Sequence, residues 1–172
     1  MRCSSTRHSR SSALALVAVV AVWLAVGHRA GAAPHTGGEF AVIASSGVPV
    51  DDLTLDELRR VFLFKRGVWR SGQPVNVMLP DSGLPARAFL LRHIYRMSEQ
   101  DLRRFILERI FQAEIDFAPK VVGSDAEALA FVKAGRSLIT VVSAGAPRLT
   151  QVKILRIDGK LPRQPGYPLV NK

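Results

Sequence analysis

Ser82, Gly83 and Arg87 are the residues of this chain whose types and spacing best suit chemistry. The stretch LPDSGLPARAFLLRHI, Leu79 to Ile94, runs a polar turn straight into a helix with an apolar stripe. The first backbone N–H groups of a helix have no partner within it, and the macrodipole is positive there. Oxyanions are held at such places by backbone donors. In that arrangement Gly83 supplies an amide, Ser82 a hydroxyl and Arg87 a cation from the first helical turn. The same turn also suits plain helix initiation, with Ser82 as the cap and Arg87 at the surface.

Other chemistries find less support. Beyond the first 33 residues the histidines are His35 and His93. Ser82 and His93 with an aspartate lack a G-x-S-x-G elbow and any second supporting motif. No H-x₃-H pair offers zinc ligands. Asp51, Asp52 and Asp56 do not have the spacing of an EF-hand loop. Glycine-rich phosphate loops of the dinucleotide or Walker type are absent. The sequence therefore predicts no enzyme, no metal and no cofactor. Trp69, in the basic turn KRGVWRSGQP, closes the edge of a core or anchors a partner.

The elements that must position these groups lie behind a leader. Arg2, Arg7 and Arg10 precede the uncharged run ALALVAVVAVWLAV, Ala13 to Val26, and Ala30-Gly31-Ala32 follows. A basic, then apolar, then small-residue order is that of a secretory signal peptide. The apolar run is shorter than the roughly 20 residues of a membrane-spanning helix. The expectation is a signal peptide over 1–33, a flexible 34–38 and one domain over 39–172, periplasmic or secreted. The membrane is then met only through the signal segment, before cleavage. The one cysteine, Cys3, falls in the leader, so the mature chain has no disulfide and no thiolate site. Removing the leader's four arginines from the 24 basic residues leaves 20 against 14 acidic, a net +6. That balance suits anions or an anionic envelope surface and does not mark a nucleic-acid binder.

Glu39 to Ser45 reads as a buried strand. Thr54 with Glu57, Ser98 with Asp101 and Ser124 with Glu127 have capping-box spacing and start three helices. Leu55, Leu58, Val61 and Phe62 face inward on the first. Leu102, Phe105, Ile106 and Ile110 do so on the helix that runs to about Gln112. Strands are expected over Gln73 to Leu79, Lys120 to Val122, Ser137 to Ser143 and Val152 to Ile157, with a turn at Asp158-Gly159. Alternating strands and helices predict an α/β domain of three layers, α-β-α, around a mixed, mostly parallel sheet.

Taken in order, these blocks resemble the periplasmic phosphate-binding proteins of ABC transporters, and more closely the short single-domain members of that type II superfamily. Leu53-Thr54, Glu57-Leu58, Val61-Phe62 and Trp69 match its first block. Ser124 and Glu127 match the second, and Ile157-Asp158-Gly159 with Tyr167-Pro168-Leu169 the last. The resemblance spans about Phe40 to Leu169 and implies one lobe of a two-lobed solute-binding fold. It further implies an accessory binder of phosphate or another oxyanion through Ser82, Gly83 and Arg87, with an ABC transporter or other envelope protein as partner. The family places an arginine before the turn and Ser-Gly-Thr in it, where this chain has Met78-Leu79-Pro80 and Leu84. Packing residues are kept better than ligand residues. The alternative is an envelope interaction module that keeps the lobe's fold without its ligand.

Overall fold

The helix starts are local events. Thr54 Oγ1 accepts from the Glu57 N–H at 3.1 Å, and a Glu57 carboxylate oxygen accepts from the Thr54 N–H at 3.0 Å. This reciprocal cap opens α1, Leu55–Phe62, which buries Leu58, Val61 and Phe62. Ser98 accepts from the Asp101 N–H and opens α3, Glu99–Phe111. Ser124 accepts from the Glu127 N–H and opens α4, Asp125–Ala134. The short α2, Pro85–Phe89, has no side-chain cap. Pro85 stands in its first turn, and the helix widens into a π-helical stretch over Leu90–Tyr95.

The strands are β1 (Phe40–Ala44), β2 (Asp52–Leu53), β3 (Asn76–Pro80), β4 (Lys120–Val122), β5 (Leu138–Ser143), β6 (Lys153–Ile154) and β7 (Arg156–Ile157). This computed structural model describes residues 38–171. The expected signal peptide and most of the expected flexible segment lie outside them. Among the described residues no helix is long and apolar enough to cross a membrane.

The main sheet has the order β4-β3-β5-β1-β6. Strand β3 pairs in parallel with β4 and β5, while β1 is antiparallel to β5 and β6. The sheet is mixed, as expected, with an antiparallel half built on β1. Side chains alternate across it. Phe40, Val42 and Ala44 of β1 join a core with Leu58, Phe62 and Leu90. Ala41 and Ile43 join another with Ala128 and Val132 of α4. Helices thus cover both faces, which gives the α-β-α layering and explains why β1 is an unbroken apolar run.

The expected strand over Val152 to Ile157 divides. Its first part pairs with β1, and its second forms a separate parallel ladder with β2. Leu155, fully buried, lies at the division, and its N–H donates to the Val42 carbonyl. Beyond the Asp158-Gly159 turn, the proline-rich tail lies along β1. The Phe40 N–H donates to the Leu169 carbonyl at 2.9 Å, and Tyr167 and Leu169 are buried.

Candidate functional site

The three predicted residues come together at the carboxyl end of β3. There the Asp81 N–H donates to the Val122 carbonyl of β4, and the chain turns through Ser82 and Gly83. The bend is held by Asp81 itself. One of its carboxylate oxygens accepts from the Gly83 N–H at 3.0 Å, and its carbonyl accepts from the Leu84 N–H. An aspartate that closes its own turn in this way is common turn chemistry. Ser82 does not cap the helix. The capping position belongs to Leu84, Pro85 brings no N–H, and Ser82 is exposed on the turn.

Arg87 is buried, at 5 % exposure, not a surface residue. Its Nε and Nη2 donate to the two carboxylate oxygens of Glu99 at 3.0 and 2.8 Å, and Nη1 lies 3.5 Å from the Pro80 carbonyl. The planar fork of arginine fits a carboxylate in this two-point fashion. The Arg87 hydrogen bond holds the Glu99 carboxyl below the usual glutamate range, against the opposing effect of partial burial. Arg103 adds a longer contact to the same carboxylate at 3.4 Å. The ordering is local: Ser98 fixes the start of α3, and the next residue, Glu99, faces Arg87.

Ser82, Arg87 and Glu99 line a hollow of about 380 Å³ between β3, β4 and α3. The rest of its wall is largely apolar and includes Ile106, Leu107 and Ile110 of α3 and Val121 of β4. The expected inward stripe of α3 is only partly covered. Leu102 is buried, whereas Phe105, Ile106 and Ile110 are half-buried. On its wall Leu107 is 54 % exposed and Val121 51 %, and Phe111 and Phe117, each next in the chain to a wall residue, are 86 % and 85 % exposed. Large apolar side chains left in water around an apolar hollow mark a surface suited to a partner.

Sequence reasoning singled out the turn and Arg87 as candidates and did not consider Glu99. The two lie twelve positions apart on different helices, and no periodicity links them. It also missed the exposed Phe111 and Phe117, which carry no pattern of their own. Trp69 is buried, with the Arg66 guanidinium 5.4 Å from its ring centre, and so closes a core edge. His93, half-buried, stacks on Phe89. Among the described residues no group of three or more histidine, cysteine or carboxylate side chains is placed to hold a metal ion.

No family model matches the chain, and no curated protein matches its sequence. Solved structures match its fold. An ABC-type phosphate transport receptor from Vibrio cholerae is 15 % identical with a TM-score of 0.56, over 73 % of this chain and 49 % of that one. PstS from Borrelia burgdorferi is 13 % identical with a TM-score of 0.60, over 79 % and 55 %. A possible phosphate binding protein from Planctomyces limnophilus is 13 % identical with a TM-score of 0.57, over 79 % and 51 %. The chain spans about half the length of these structures. Its described residues have the fold of a single lobe of the phosphate-binding, substrate-binding proteins of ABC transporters.

Proposed function

We propose that this chain is an envelope interaction module, a substrate-binding-protein lobe that docks a partner protein across the apolar hollow between α3 and β4. The observation that carries this is the state of Arg87. Its guanidinium already holds the Glu99 carboxylate at two points, and the space above that pair is walled by apolar side chains. Desolvating Leu107, Phe111, Phe117 and Val121 against an apolar partner segment is favourable, and aromatic anchors are typical of interface centres. Placement in the envelope rests on the leader expected over residues 1–33 from their sequence. No catalytic role is assigned. The test is a photo-reactive residue at position 111 or 117 in cells of the producing organism. A discrete adduct should form at both positions and vanish with Leu107→Glu, while the melting temperature stays put. No adduct, or one indifferent to Leu107→Glu, defeats the reading, and an adduct between two copies reassigns the partner.

A second reading is favoured by Ser82 and Arg87 lining one hollow in a fold shared with phosphate-binding proteins. In it the chain is an accessory solute-binding protein for an ABC transporter. Ser82, Gly83 and Arg87 hold phosphate or another oxyanion. Two carboxylates stand on these donors, Asp81 on the Gly83 amide and Glu99 on Arg87, so the anion must displace both. Millimolar phosphate should then raise the melting temperature in a way that Ser82→Ala removes. A melting curve unmoved by phosphate ends this reading and leaves the first untouched.

A further inference from the structure

A second hollow, away from Arg87, gathers positive charge. It holds about 300 Å³ and is lined by Glu57, Arg60, Lys65, Arg66 and Arg70. Four cations thus share one concavity with a single carboxylate. That carboxylate is already engaged elsewhere, since one Glu57 oxygen accepts from both the Thr54 N–H and hydroxyl at the start of α1. These Thr54 contacts, more than any cation, hold its carboxyl below the usual range. Arg66 reaches the other Glu57 oxygen at 4.0 Å, while Arg60, Lys65 and Arg70 make no salt bridge among the described residues.

The cations are positioned, not scattered. At the end of α1 the Lys65 N–H donates to the Arg60 carbonyl and the Phe64 N–H to the Val61 carbonyl. This pair of hydrogen bonds closes the helix with Phe64 in the left-handed region, φ 56°. It swings Lys65 and Arg66 back beside Arg60. The Trp69 ring then holds Arg66 by a cation–π contact, and Arg70 follows at once in the chain. The negative end of α1 offsets part of the repulsion among them. What remains is a concave set of donors with an excess of positive charge.

We propose that this concavity binds an anionic phosphate group, through Arg60, Lys65, Arg66 and Arg70. Guanidinium groups suit phosphate oxygens by geometry, and Lys65 adds a point charge. The group is carried by a free ion or by an anionic lipid headgroup at the membrane surface, and the experiment separates these sources. The whole chain, as produced by a bacterial host, is titrated calorimetrically with inorganic phosphate. It is also sedimented with vesicles of phosphatidylglycerol and phosphatidylcholine in equal parts, and with phosphatidylcholine alone. Binding to at least one anionic probe is expected. It should weaken about fivefold with each of Arg60→Gln, Lys65→Gln and Arg70→Gln and stay unchanged in Lys133→Gln, an exposed lysine of α4 that lines neither this hollow nor the first. Sensitive binding to free phosphate identifies the ion. Sensitive binding to the anionic vesicles alone identifies the headgroup. The proposal is overturned if the wild type binds neither probe, or if all three substitutions leave its binding as it was. Phosphate binding that Ser82→Ala abolishes belongs to the other hollow and also overturns it.

Discussion

At the scale of the residue, the Arg87–Glu99 pair decides what the first hollow can do. Arg87 is almost fully buried while Glu99 keeps about a third of its side chain in water. Glu99→Ala leaves a buried guanidinium without its carboxylate, and about 3 kcal/mol of stability should be lost in chemical denaturation. The pair also ties stability to pH. The Glu99 carboxyl sits lower in the folded protein than in the unfolded chain, chiefly through the Arg87 hydrogen bond. Its contribution is therefore complete above the unfolded glutamate value, about 4.3, and fades as pH falls below that through the folded value. A denaturation series from neutral to acid pH should be steeper for wild type than for Glu99→Gln across that window. Equal slopes would show that the pair contributes nothing. Arg87 itself was legible in the sequence, but its burial and partner were not. Both depend on how α2 and α3 meet, which no local spacing encodes.

At the scale of the element, the helix starts were readable because capping is a conversation between residues three apart. Thr54, Ser98 and Ser124 all accept from the predicted N–H. The ends were less readable. α1 closes on Phe64 and α3 on Ala113, both in the left-handed region that favours glycine. After α3 the Glu114 N–H donates to the Arg109 carbonyl and the Ala113 N–H to the Ile110 carbonyl, the pattern that closes α1. Ala113 is exposed, so its methyl group contributes little packing. Ala113→Gly should relieve about 1 kcal/mol and raise the melting temperature by roughly 3 °C. A fall in melting temperature would refute the strain. The two-residue strands were only partly predicted, for a different reason: β2 was missed, and β6 and β7 were expected as one strand. β2, β6 and β7 are defined by their partners, and a run such as Val152 to Ile157 does not announce that it will serve two ladders.

At the scale of the molecule, the fold class and the covering of both sheet faces were legible. Apolar runs such as β1 and β5 must be buried on two sides, and the capped helices supply the cover. The tail was legible only in what it could not be. Its prolines exclude a helix, yet they say nothing of where Tyr167 and Leu169 go. Both end in the core that holds Phe40 and Phe89. Leu169→Ala should cost about 3 kcal/mol, as for other buried leucines. A loss near zero would show the tail to be a passive wrapping. Its course has one more consequence. The Asn171 N–H donates to the Gly38 carbonyl at 3.0 Å, so the two limits of the described chain touch. A reporter or tether added at either limit would emerge from one and the same corner of the domain, and exchanging one attachment for the other would leave the orientation of both hollows unaltered.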